Sequence, residues 1–257
     1  MARWRPPASL VLMNRSPNGG AILVFSVVAY AVFGLALVWA VLFLTGVGGA
    51  PWVDRGTPEP AAVAAIVDLA LLALFALQHS VMARGSFKRR LSQILPQPAE
   101  RSLFVLAASL VLIALFGFWR PLPGQVWNAP GAAGGALVVI AWGGWIGLVA
   151  STFMIDHLDL FGLRQGWRAF RRREYGGPPF QTRWFYRWVR HPLMTSFLVI
   201  FWAVPRMTVG HLLFSAAGSG YILVGTWLEE RDLTRAIPEY ADYRRRAGRL
   251  VPRLRSS

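Results

Sequence analysis

The sequence predicts an all-α polytopic integral membrane protein, a bundle of about six transmembrane helices with both termini in the cytoplasm. Three observations lead there. Hydrophobic residues fill 55% of the 257 positions and charged residues 15%, against about 25% charged in an ordinary soluble domain, so most of the surface must face lipid. Four apolar stretches, 21–43, 61–82, 102–119 and 135–155, approach the roughly 20 residues that cross about 30 Å of hydrocarbon. When the 27 lysines and arginines are placed on a six-span arrangement, 24 fall on one face and 3 on the other, the asymmetry expected between cytoplasmic and outer loops.

The first stretch is longer than the apolar core of a secretory signal, so it is read as a retained helix. The apolar run 193–228 is too long for one crossing and is broken at Ala203-Val204-Pro205-Arg206-Met207. Proline removes a helix donor and arginine disfavours lipid, so a tight hairpin of two helices is expected there.

On the cytoplasmic face the N-terminal segment carries Arg3, Arg5 and Arg15. The second connection carries Arg84, Lys88, Arg89, Arg90 and Arg101, and the fourth connection and the C-terminal tail carry eight arginines each. The opposite face holds Arg55, Arg120 and Arg206. Topology therefore accounts for the formal charge of +15 without nucleic acid as a partner. The outer connections, 44–60 and 120–134, are rich in Gly and Pro and read as plain linkers. No repeat or composition shift divides the chain, so residues 1–257 are expected to form one domain.

The chain contains no cysteine, which excludes disulfides, thiolate zinc sites, iron-sulfur clusters and a cysteine nucleophile. There is no glycine-rich dinucleotide fingerprint, P-loop or H-E-x-x-H signature, and no metal site is expected. Polar chemistry must come from His, Arg, Asp, Glu or Tyr on the cytoplasmic face. His79, His157 and His191 fall at cytoplasmic span ends and His211 at the outer end of the sixth span, a poor geometry for a haem held by a histidine pair.

Four segments carry candidate residues. Trp184 to Thr195, with Tyr186 and Arg187, leads through Arg190-His191-Pro192 into the fifth span. Pro192 suits the first turn of a helix, whose free amides, with the arginines, suit an anionic group. Glu229-Glu230 end the sixth span, and Tyr240, Tyr243 and Arg244 follow at helical spacing. Ser151 to Gln165 gathers Asp156, His157, Asp159, Arg164 and Gln165, and Gln78-His79-Ser80 closes the second span. An aromatic-basic anchoring belt, a headgroup-lying helix and a capped helix end are the plainer readings of the first three.

Arg190-His191-Pro192 opening a hairpin, then Glu229-Glu230, then Tyr240, Tyr243 and Arg244 resembles the membrane methyltransferase superfamily of isoprenylcysteine carboxyl methyltransferases and phospholipid methyltransferases. The residues Gln78 to Arg84 with Phe87-Lys88, Ser151 to Gln165, and Arg190 to Pro205 resemble more narrowly the methanethiol S-methyltransferase family, close to the NnrU-like proteins. Where the broader superfamily places a tyrosine and a glycine after the proline, this chain has Met194 and Ser196.

The resemblance implies S-adenosylmethionine as methyl donor, methanethiol as acceptor and dimethyl sulfide as product. Other expectations stay open: a lipid or prenylcysteine acceptor, or a non-catalytic NnrU-like protein of nitrogen-oxide metabolism. On the methyltransferase reading, residues 184–253 form the cofactor-binding hairpin and tail. Within it the Arg190-His191-Pro192 segment would hold the carboxylate, Glu229 or Glu230 the ribose or ammonium, and Tyr186, Tyr240 or Tyr243 the adenine, with Leu193 and Arg244 as further cofactor-binding residues. His79, Asp156, His157 and Gln165 are the candidates for ionising the thiol. The site would open to the cytoplasm at a bacterial inner membrane, with 171–183 as its flexible border. Oligomeric state is not encoded in any of these features.

Overall fold

The computed structural model describes residues 18–47, 49, 52–57, 59–177 and 184–253. Arg3, Arg5, Arg15 and residues 178–183 of the expected flexible border lie outside the described residues. Among the described residues five helices are long and apolar enough to cross a membrane: α1 (Gly19–Thr45), α2 (Ala61–Ala83), α4 (Gln97–Phe118), α5 (Gly131–Ile155) and α9 (Val209–Ala236). The protein is a helical polytopic membrane protein. The shorter helices are α3 (Gly85–Leu91), α6 (His157–Leu160), α7 (Leu163–Phe170), α8 (Pro192–Trp202) and α10 (Tyr240–Arg246).

Local chemistry sets the helix ends. Asn18 Oδ1 accepts the Gly20 and Ala21 amides at the start of α1, and Gly46, at φ 69°, ends it in the left-handed conformation that glycine adopts without penalty. Proline stands at or beside the first residue of α2, α4, α5 and α8, where its missing donor is harmless. The helices run past the apolar stretches read from sequence because polar residues such as Glu100 and Arg101 continue the turn beyond the hydrocarbon.

The fifth crossing departs from expectation. α8 has 11 residues, about 16 Å of rise, half of what a crossing needs. The remainder is extended chain, including strand β2 (Arg206–Thr208), paired antiparallel with β1 (Gln125–Asn128) from the outer connection. Non-helical backbone at membrane depth must find partners within the protein. Here Ala129 N–H donates to the Pro205 carbonyl, Val209 N–H to Gly124, and Trp127 Nε1–H to Val204. The segment 120–134 is therefore the hydrogen-bonding partner of the hairpin turn rather than a plain linker.

A core of Phe43, Leu115, Trp145, Leu148, Ile200, Phe201, Phe214 and Ile222 joins α1, α4, α5, α8 and α9. Glycines permit the closest approaches. A Cβ on Gly166 would lie 2.4 Å from Ser26 Oγ, which lets α7 rest directly on α1. The helices α3, α6, α7 and α10 and all but three of the described basic residues gather at one end, called below the basic end.

Candidate functional site

Two polar assemblies occupy the basic end. The first is built on Glu230, whose side chain is 2% exposed. Its Oε1 accepts from Arg190 Nε at 2.7 Å and lies 3.2 Å from His191 Nε2. Its Oε2 stands 3.4 Å from Arg249 Nε and 3.9 Å from Arg244 Nε. Arg190, 5% exposed, also donates through Nη1 to the carbonyls of Arg244 and Ala247.

The backbone closes the same junction. Arg190 N–H donates to Gly248, His191 N–H to Arg249, and Gly248 N–H to Trp188, in a parallel bridge between Val189 and Gly248. A Cβ at Gly248 would lie 1.8 Å from the Val251 carbonyl oxygen, so the tail passes there because residue 248 has no side chain. Arg190 and Glu230 thus clamp the start of α8, the end of α9 and the C-terminal tail to one another. Pro192 is buried as the first residue of α8, and Leu193 packs against the main core.

Tyr240 and Tyr243 are also drawn into this junction. Both are buried, with ring centroids 5.7 Å apart, and the Tyr243 hydroxyl donates to the Tyr186 carbonyl at 2.6 Å. Burial raises both hydroxyl pKa values to about 12 and pushes that of Tyr186 up as well. Arg244, on the same helix, is half exposed. Glu229 differs from its neighbour: it is 54% exposed, and its Oε2 lies 3.6 Å from His191 Nδ1.

Helix geometry explains the contrast. Successive residues are rotated by about 100°, so Glu230 continues the buried stripe of Ile222 and Thr226, while Glu229 stands above Tyr221 and Gly225 at spacing four. No atom lies within 4 Å of a Cβ built on Gly225. That open space separates Glu229 from the Tyr221 ring two turns below.

The second assembly begins at that ring. Tyr221 lies edge-on to His79, with centroids 6.3 Å apart, and its hydroxyl is 3.2 Å from Ser80 Oγ. His79 also packs on Phe104, over which Arg101 places its guanidinium. Arg101 Nε donates to the Leu160 carbonyl at 2.6 Å, which brings its charge beside Asp159 and Tyr175. Tyr175 donates to Asp159 Oδ1 at 2.5 Å, and Gln165 Nε2 donates to the Tyr175 hydroxyl and the Asp159 carbonyl. Burial, followed by the Asp159 carboxylate, raises the Tyr175 pKa and keeps its proton on. His79 Nδ1 and Gln165 Oε1 are buried with no hydrogen-bond partner among the described residues. Buried polar atoms left in this way are candidate ligand contacts.

Of the four residues expected to ionise a thiol, the structure brings His79 and Gln165 to this assembly and turns Asp156 and His157 away. His157 has both ring nitrogens engaged, Nε2 with the Tyr30 hydroxyl at 2.7 Å and Nδ1 with Thr152 Oγ1 at 2.8 Å. Burial lowers its pKa despite the nearby Asp156 carboxylate. Asp156 caps α6 by accepting the Asp159 amide and pairs with Arg164 at 2.7 Å. Sequence reasoning did not single out Arg249, Arg101, Tyr175 or Tyr221. Tyr175 is one of two tyrosines in the arginine-rich fourth connection, with Tyr186, a signal that could have found it. Arg249 and Arg101 carry no comparable mark among so many basic residues.

Comparison with known proteins shows the family. The model of the NnrU protein family matches residues 68–231. Methanethiol S-methyltransferase 2 of Bradyrhizobium diazoefficiens is 48% identical over 91% of both chains. The Mycobacterium tuberculosis methanethiol S-methyltransferase is 45% identical over 90% of this chain and 95% of its own. Methanethiol S-methyltransferase 1 of B. diazoefficiens is 44% identical over 90% of this chain and 82% of its own. No solved structure matches. With both the family model and relatives of nearly the same extent in agreement, the chain belongs to the NnrU family and to the methanethiol S-methyltransferases within reach of it.

Proposed function

We propose that this protein transfers a methyl group from S-adenosylmethionine to methanethiol, releasing dimethyl sulfide and S-adenosylhomocysteine, at the cytoplasmic face of a bacterial inner membrane. The observation that carries the reaction is the 48% identity, over nearly the full length of both chains, to an enzyme named for it. Segment 184–253 is proposed as the cofactor-binding unit, with the Arg190–Glu230 clamp holding its three parts in register.

Because Arg190 and Glu230 are committed to each other, the accessible carboxylate for a ribose diol or ammonium is Glu229, with His191 beside it. The open space at Gly225 receives the body of the cofactor, and Tyr186 and Arg244 are assigned to it from the hairpin and tail. Tyr240 and Tyr243 support Tyr186 from behind. When bound, S-adenosylmethionine supplies an electrophilic methyl group on a sulfonium sulfur.

The acceptor side is assigned to His79, Arg101 and Gln165. A thiol must lose its proton before it attacks. The partnerless His79 Nδ1 can take that proton, and the Arg101 charge favours the resulting thiolate. Glu229 and His191 would hold the donor so that its methyl group faces the thiolate that His79 and Arg101 produce. The aromatic walls of Phe75, Phe104 and Tyr221 exclude water from this step. Asp156, His157 and Arg164 serve to fix α6 against α1 and α5.

The test is calorimetric titration of the purified protein with S-adenosylhomocysteine, paired with headspace detection of dimethyl sulfide after methanethiol is added. Saturable binding and product formation are expected, with S-adenosylhomocysteine affinity about tenfold to a hundredfold weaker in Glu229→Gln. Folded protein that binds no S-adenosylhomocysteine would refute the assignment.

A further inference from the structure

On the side of α7 that faces away from Gln165, a groove of about 420 Å³ runs between α1, α6 and α7. Its floor is apolar, made by Leu23, Leu158, Leu163 and Trp167, and its rim is Arg164, Arg168, Arg171 and Arg173. Leu158 and Trp167 are about half exposed, so apolar surface lies open directly beneath a row of guanidinium groups.

The rim is held in place. Arg164 pairs with Asp156, Arg168 Nη1 donates to the Glu174 carbonyl at 2.9 Å, and the Arg171 guanidinium sits 5.8 Å from the Trp167 ring centre. The helix carrying it is fixed from behind, because Gly162, at φ 88°, and Gly166 allow contact with Ser102 and Ser26 that a Cβ would block. Leu23 lies in the second turn of α1, which places the groove where hydrocarbon meets headgroups.

We propose that this groove is a binding site for one anionic glycerophospholipid, its phosphate on the arginine rim and the upper part of an acyl chain on the apolar floor. The two halves of the groove require the two halves of such a molecule. A soluble anion would leave the leucines and Trp167 in water, and a neutral lipid would leave Arg168, Arg171 and Arg173 without a counter-charge among the described residues. A zwitterionic headgroup would add a cation where the nearby acidic side chains Asp156 and Asp159 are already committed to Arg164 and Tyr175, leaving only Glu174. The site is separate from the proposed methyl-transfer residues and does not depend on that assignment.

The test uses the full-length protein in detergent, with phosphatidylglycerol binding measured by native mass spectrometry and melting temperature recorded alongside. Each arginine near a membrane surface contributes about a five-fold factor in anionic-lipid affinity, so Arg171→Gln with Arg173→Gln should weaken phosphatidylglycerol about thirty-fold. Both residues are exposed, so the melting temperature should hold. The control is Arg89→Gln with Arg90→Gln, an equal loss of exposed charge on α3, which should leave binding unchanged. Phosphatidylcholine should bind far more weakly, and millimolar inorganic phosphate should not displace the lipid. Equal weakening in both double variants, unchanged affinity in the first, tight phosphatidylcholine binding, or displacement by phosphate would each overturn the proposal.

Discussion

Replacing Glu230 with glutamine tests whether the buried carboxylate is a clamp or a ligand for the cofactor. Glutamine keeps an oxygen for Arg190 but removes the charge between Arg190, His191 and Arg249. Breaking a buried ion pair by removing one partner costs about 3–5 kcal/mol, because the remaining charge is left uncompensated. The lower end applies here, since Arg190 keeps the Arg244 and Ala247 carbonyls as acceptors. Arg249 and Arg244 are one-third and half exposed, so each loses about 1 kcal/mol or less on this change. The expected loss is therefore about 3 kcal/mol, concentrated in the Arg190 pair.

A double-mutant cycle with Arg190→Gln isolates that pair, read by thermal and denaturant unfolding of the detergent-solubilised protein. Contacting charged residues show coupling of about 0.5–3 kcal/mol, and this pair should lie in the upper half of that range. At a temperature where Glu230→Gln remains folded, its affinity for S-adenosylhomocysteine should be within a few-fold of the parent protein. Coupling below about 0.5 kcal/mol would refute the clamp. So would a variant of unchanged stability that no longer binds, because Glu230 would then be acting on the ligand.

The neighbouring substitution should show the opposite pattern. Glu229→Gln changes an exposed side chain and should shift the melting temperature little, yet losing a hydrogen bond to a charged group should weaken S-adenosylhomocysteine about tenfold to a hundredfold in calorimetry. Gly225→Leu should abolish that binding without loss of stability, because no atom lies within 4 Å of the new Cβ, whereas Gly218→Leu should destabilise, because its Cβ would lie 2.8 Å from the Phe201 ring. Gly248→Ala should detach the tail, seen as proteolytic cleavage after α9, since its Cβ would meet the Val251 backbone. The lowered pKa of His157 means that, below pH about 6.5, the unfolded chain takes up a proton that the native ring resists. Its contribution to stability is complete above that pH and declines as pH falls toward the native value. Melting curves across this window should flatten in His157→Gln.

Much of the fold was legible because hydropathy and charge act at the scale of whole helices. The five long spans, the turn at Pro205 and the gathering of basic residues at one end follow from composition along the chain. What composition does not record is the strand pairing of 206–208 with 125–128, which gives the chain broken at Pro205 its hydrogen-bond partners. Arg190-His191-Pro192 was readable as a helix start, but the partners of Arg190 lie 40 and more residues away, on α9 and the tail. Likewise Asp156 and Asp159 are three residues apart and look interchangeable. The first is committed to Arg164 and the second to Tyr175 by the way α6 and α7 pack, which no local pattern records.

The adjacent carboxylates at the end of α9 illustrate how one helix can serve two tasks. A rotation of about 100° per residue sends Glu230 into the stripe of Ile222 and Thr226, toward α8 and the tail, and Glu229 onto the stripe of Gly225 and Tyr221, the last of which meets His79 of α2. The buried carboxylate needs full compensation, and the structure supplies it with Arg190 and His191. The exposed one needs none and remains available. Because both ride on a helix that also carries Tyr221 against His79, α9 links the clamp, the open space at Gly225 and the proposed acceptor residues in one rigid element. Methyl transfer demands reacting atoms held about 3–3.5 Å apart, a tolerance that separate loops would meet poorly. On this reading the strength of the Arg190–Glu230 pair matters to catalysis through position: it fixes the rotation of α9, and that rotation decides whether Glu229 and Tyr221 face the same space.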